Sequence, residues 1–105
     1  MAKGSGGTRT SRASGRYSSA LRETRQRLAS ANRLTRPTYE RNLEYFTEAN
    51  RLSNLYRQGA YVRVQTSSGE IRGNIDYTDR DVRVRVSEGG TRVLNLDELK
   101  RVYKN

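Results

Sequence analysis

Arginine sets the chemistry available to this sequence. It supplies 18 of the 21 basic residues, and histidine and cysteine are both missing. Arg9, Arg12, Arg16, Arg22, Arg25, Arg27, Arg33 and Arg36 recur every two to six residues through the first third of the chain. Arg63, Arg72, Arg83 and Arg85 follow later, set among valines and isoleucines, with Tyr61 just before them. A guanidinium is a planar, permanently charged fork of donors that matches phosphate and carboxylate and stacks on flat rings. Cationic side chains on a phosphate backbone release condensed counterions, which gives affinity independent of base sequence. Tyr61 adds a ring on which a base can stack. These residue types point to polyanion binding, with a solvated basic surface as the alternative for each of them.

Other chemistries lack their residues. Without His or Cys, most nucleophilic mechanisms and zinc sites have no ligands or nucleophile. The stretch GSGG at 4–7 is not a phosphate-binding loop, because no Gly-Lys-Ser/Thr follows it and no strand precedes it. Asp76, Asp79 and Asp81 form the one acidic cluster. Magnesium is one use for it. The expected use is local: Asp79 and Asp81 in a turn, Asp76 paired with Arg83. The expectation is therefore a protein that is not an enzyme and takes no metal and no cofactor.

The charge is unevenly placed. The net charge is +10 over 105 residues. Residues 1–36 hold nine basic groups and one acid, Glu23, whereas residues 37–105 are nearly balanced. The chain reads as a balanced body with a cationic arm, one domain at most. So small a body buries a limited share of its surface, so a partner or self-association into a homo-oligomer would add order. No apolar run is long enough to span a bilayer, and an apolar signal-peptide core is missing from the first residues. An Arg- and Ser-rich, acid-poor start also suits a transit peptide, but MAKGSGG carries no amphipathic helix. The expected setting is cytoplasmic, with no membrane partner.

The elements that must place these side chains follow from periodicity. Residues 1–17, rich in Gly, Ser and Arg, read as a disordered arm. Residues 18–34 predict a basic helix within 18–36, capped by Ser18 or Ser19, with Leu21, Leu28, Ala31 and Leu34 as a thin apolar stripe. Pro37 predicts the first turn of a second helix over 37–57, capped by Thr35 or Arg36 and ended by Gln58-Gly59. Tyr39, Leu43 and Phe46, beside Tyr45, Ala49, Leu52 and Tyr56, give it an apolar side expected to pack on the C-terminal body. From Tyr61 the period becomes two, and YVRVQT, IRGNIDY and DVRVRVS predict three strands. TRVLNL predicts a fourth, LDELK a helical turn and RVYKN a fifth. Pairing Thr66 with Ile71 sets Arg63 opposite Asn74 and Gln65 opposite Arg72. Pairing Tyr77 with Val82 sets Asp76 opposite Arg83 and Asn74 opposite Arg85. The valines and isoleucines then face inward, and Arg63, Arg72, Arg83 and Arg85 face outward with one acid beside them.

The class is thus α+β: a disordered basic arm, two helices, then a small antiparallel sheet of four to five strands. Over residues 58–105 it resembles the SH3-like and Sm-like barrels. Val62 and Val64, Gly69, Gly73 and Asp79 fill the places of the Sm strand, turn glycine, in-strand glycine and aspartate. Arg83 stands where Sm proteins carry an RNA-contacting Asn, and the second Sm signature, an apolar–Arg–Gly run, has no counterpart. The ending LNLDELKRVY is similar to the strand–turn–strand finish of SH3-like barrels. The start MAKGSGGTRTS resembles low-complexity starts of phage and mobile-element proteins. Two functions are carried forward. One is a non-catalytic, largely sequence-independent binder of the DNA or RNA phosphate backbone, using the arm, the four sheet arginines and Tyr61. The other is a structural protein of an assembly, such as a phage virion, whose arm orders between neighbouring subunits.

Overall fold

The computed structural model describes residues 16–105. Arg9, Arg12 and the rest of the expected arm before Arg16 lie outside the described residues. The chain divides into two compact units, the first ending at Asn54 and the second spanning Leu55–Asn105.

The first unit holds two helices, α1 (Ser18–Ala29) and α2 (Arg36–Leu55). Tyr17, read from the sequence as the last residue of the arm, is only 1 % exposed. Its ring lies 5.9 Å from that of Phe46, which also meets Tyr45 edge-on at 5.8 Å. Neither Ser18 nor Ser19 caps α1: Tyr17 holds the cap position, with no side-chain cap bond. The backbone N–H groups leading into the helix are satisfied from α2 instead, Tyr17 N–H by Asn50 Oδ1 at 3.0 Å and Arg16 N–H by Ser53 Oγ at 3.4 Å.

The expected run of α1 to Leu34 stops at Ala29. Asn32 Oδ1 accepts from the N–H groups of Leu34 and Thr35, each at 2.9 Å, and Thr35 Oγ1 accepts from Asn32 N–H. This local exchange offers the backbone a turn in place of another helical turn. Leu34 is left 86 % exposed, outside the apolar stripe. Thr35 C=O then receives the first N–H groups of α2, from Thr38 and Tyr39, while Pro37 occupies a position where no N–H is needed. Along α2, Ala49 and Leu52 are fully buried, and Tyr39, Leu43, Tyr45 and Phe46 are half-buried.

The second unit is a five-stranded antiparallel sheet in the order β4-β3-β2-β1-β5. Its strands are β1 (Tyr61–Thr66), β2 (Gly69–Tyr77), β3 (Val82–Val86), β4 (Thr91–Val93) and β5 (Val102–Lys104). The short helix α3 (Leu96–Leu99) leads into β5. β4 covers only half of the expected TRVLNL; Leu94 beyond it is buried, and Asn95 opens α3. Asn95 Oδ1 accepts from Glu98 N–H and Glu98 Oε1 from Asn95 N–H, a reciprocal cap that starts the helix. The inner face of the sheet, Val62, Val64, Ile75, Val82 and Val84, is fully buried, with Tyr77, Leu99 and Val102 beside it.

The second hairpin has the expected register, Tyr77 opposite Val82 and Asn74 opposite Arg85. The first is shifted by two residues: Thr66 pairs with Gly69, not Ile71. Ser67 and Ser68 alone make the turn, Thr66 Oγ1 accepts from Ser68 N–H, and Gly69 takes φ +122°, which a side chain would resist. A shift of two keeps every side chain on its expected face but changes its neighbours. Arg63 therefore faces Arg72, and Gln65 faces Glu70.

Candidate nucleic-acid interface

The outer face of the sheet carries, strand by strand, Tyr103 on β5; Tyr61, Arg63 and Gln65 on β1; Glu70, Arg72, Asn74 and Asp76 on β2; and Arg83 and Arg85 on β3. It brings together all five of the expected residues of the C-terminal half. Like charges directly opposite each other are unfavourable, so the Arg63–Arg72 pair needs a counterion. Glu70 provides it: its carboxylate lies 3.6 Å from Arg63 Nη1 and 2.8 Å from Arg72 Nε, and it also accepts from Gln65 Nε2. The Arg72 bond, opposed by partial desolvation and helped by the Arg63 charge, holds the Glu70 carboxyl below its ordinary pKa. Arg63 also lies over the Tyr103 ring, 5.1 Å from its centroid.

Arg83 Nε bonds Asp81 Oδ1 at 2.8 Å, and this bond, opposed by partial desolvation and helped by Thr78, lowers the Asp81 pKa. Asp76 stands opposite Arg83 in the register, yet its carboxylate accepts from Gln58 Nε2. The aspartates thus serve turn, ion pair and strand, and no group of three metal-ligating side chains forms among the described residues. The outer face is less basic than expected, because Glu70 joins Asp76 on it. Arg85, beside Asn74, is the sheet arginine that no carboxylate engages among the described residues.

In the first unit Arg16, Arg22, Arg25, Arg27, Arg33 and Arg36 are all exposed. Arg27 is held by Glu23 at 3.2 Å, and this bond, helped by the nearby Tyr39, raises its pKa further. Arg22 and Arg25 share a hollow of about 430 Å³ with Ser18, Leu21 and Asn50. No carboxylate pairs with Arg22, Arg25, Arg33 or Arg36 among the described residues.

One group escaped sequence reasoning. Leu55, Tyr56, Arg57, Tyr61, Lys104 and Asn105 line a cleft of about 280 Å³ where β1 begins and β5 ends. Its wall is fixed to β2: Gly59 N–H donates to Ile75 C=O at 2.8 Å, Asn74 Nδ2 to Gly59 C=O at 2.9 Å, and the Tyr77 hydroxyl to Tyr56 C=O at 3.1 Å. Gln58 Oε1 accepts from Tyr77 N–H. Tyr61 is 42 % exposed, and its hydroxyl is 2.9 Å from Ser87 Oγ. Pairing RVYKN with YVRVQT would have found the cleft, since Val62 opposite Lys104 puts the end of β5 beside Tyr61. No helix among the described residues is long and apolar enough to cross a membrane. No protein-family model matches the chain, and neither a curated protein nor a solved structure matches it.

Proposed function

We propose that this protein is a non-catalytic binder of nucleic acid that takes hold of the phosphate backbone. The observation that carries the reading is a group of exposed arginines that no carboxylate pairs among the described residues, including Arg22, Arg25, Arg33 and Arg36 in one unit and Arg85 in the other. Exposed cations of a merely solubilising surface gain from pairing with nearby acids, as Arg27, Arg51 and Arg72 do here. Arg85, unpaired beside Asn74 on the face that carries Tyr61, suits a ligand that brings phosphate charge, flat rings and hydrogen-bond acceptors. The sheet unit is an SH3-like barrel on this reading. The meeting of β1 with β5 and the short helix α3 before β5 support it.

The test is binding of labelled single- and double-stranded DNA and RNA across a salt series, with the full chain and with a chain lacking residues 1–15. That deletion removes Lys3, Arg9 and Arg12 and spares Tyr17, whereas a cut at Pro37 would take Tyr17 away from Phe46. If all three groups contact phosphate, the slope of log affinity against log salt on duplex falls by about 3. Absence of binding by either chain at low salt refutes the proposal. The assembly reading is favoured by a different observation: β4 and β5 end the sheet with no further strand paired to them among the described residues, and Val93 on β4 is 52 % exposed. A fixed stoichiometry with another protein, unchanged by nuclease, would select it.

A further inference from the structure

We infer that the cleft at the start of β1 receives one unstacked base of a single strand, so that this protein prefers single strands to duplex. The inference rests on the nucleic-acid reading above and adds the form of the ligand. The cleft offers two kinds of contact side by side. Tyr61 and Tyr56 supply rings, and Leu55, 60 % exposed, supplies an apolar side. Arg57 and Lys104 supply positive charge, and no Asp or Glu side chain lines the cleft. Neither cation has an ion pair or side-chain hydrogen bond among the described residues. A nucleotide presents the complementary set, one flat ring linked to a phosphate.

Size and rigidity narrow the class. A volume of about 280 Å³ lies just below the usual range of ligand pockets, roughly 300 to 1,000 Å³. It suits one nucleotide and not the width of a duplex. In a duplex the base faces are covered by their neighbours, and only edges and phosphates are on offer. A ring-lined cleft gains from a base only when that base is unstacked. The wall is fixed in advance by the Gly59–Ile75, Asn74–Gly59 and Tyr77–Tyr56 bonds, so little ordering cost is left for binding. The Tyr61–Ser87 bond likewise steadies the ring.

The experiment uses the full chain at low salt with three labelled ligands: a deoxythymidine dodecamer, the same sugar-phosphate chain without bases, and a mixed-sequence duplex. The thymidine strand should bind about tenfold tighter than the base-free strand, a gap that only stacking and base contacts supply. Tyr61→Ala should close that gap, and Tyr61→Phe should keep it. Combining Arg57→Gln with Lys104→Gln should lower the salt slope on the thymidine strand by about 1.4. Far-UV melting of each variant separates lost contact from lost fold. If thymidine strand, base-free strand and duplex bind alike, the cleft inference falls and the nucleic-acid reading stands. The same holds if Tyr61→Ala keeps the gap while folded. If none of the three binds, both fall together.

Discussion

Gly73 is the position where the sheet has least room. A methyl group built on its Cα would sit 2.1 Å from the carbonyl oxygen of Arg85, 2.7 Å from that residue's carbonyl carbon and 2.9 Å from Val84 Cγ1. Ordinary contact begins near 3.4 Å, so in Gly73→Ala the Arg85 carbonyl must retreat by about 1.3 Å. Two of those three atoms are backbone, and no rotamer change moves them. The retreat has to come from β3, which pairs with β2 from Gly73–Val86 to Tyr77–Val82. Overpacking a core ordinarily costs about 1–3 kcal/mol, and a clash that only backbone can relieve belongs at the upper end. Loss of glycine's freedom in the unfolded chain returns roughly 0.4–1 kcal/mol. The net loss is about 2 kcal/mol, which for a domain of this size lowers the melting temperature by roughly 8–16 °C. Thermal melting followed by far-UV circular dichroism measures it. A variant that melts within about 2 °C of the parent refutes the argument, because strands that take up a methyl group there do not approach as closely as described.

Three further outcomes follow from the packing and the ion pairs. Tyr17→Ala removes a buried ring from its contact with Phe46 and should destabilise the helical unit by about 3 kcal/mol, read as loss of helical ellipticity on heating. Glu70→Gln frees Arg63 and Arg72 and should raise affinity for single-stranded DNA at low salt about threefold, with a steeper salt slope; unchanged or weaker binding would mean that Glu70 holds those arginines in their binding pose. The Asp81–Arg83 bond depresses the Asp81 pKa, so its contribution is complete above the ordinary value of 3.8 and is lost as pH falls below that value through the depressed one. Asp81→Asn should therefore melt lower than the parent at neutral pH, and the two should converge as the pH falls below 3.8 through the depressed pKa, as acid melting curves would record.

Local pattern carried much of the fold. The alternation in DVRVRVS and IRGNIDY, with the turn TDRD between them, fixes both the strands and their register, because everything needed lies within seventeen residues. The first hairpin misled by two residues because SSGE reads as a four-residue turn. The hydroxyl of Thr66 and the left-handed freedom of Gly69 shorten it to Ser67-Ser68. That slip also hid Glu70, which enters the strand and neutralises Arg63 and Arg72. Tyr17 was illegible for another reason. Its neighbours are Gly, Ser and Arg, and what buries it is Phe46, with Asn50 taking its N–H, some thirty residues on. The cleft was hidden likewise, since Tyr61 and Lys104 meet only through the pairing of β1 with β5.

That pairing has a consequence for how the sheet comes together. β2, β3 and β4 follow β1 through short turns, whereas β5 returns to β1 from some forty residues away. Contacts of long sequence separation close late. For that interval β1 is an open edge, YVRVQT, whose alternating valines invite another chain. Arg63 stands near the middle of that edge. Two such edges meeting in antiparallel fashion with Arg63 opposite its copy would bring guanidinium against guanidinium, a mismatch that Glu70, already shared with Arg72, offsets only in part. The residue that ends over Tyr103 in the finished sheet is, before β5 arrives, a guard against aggregation.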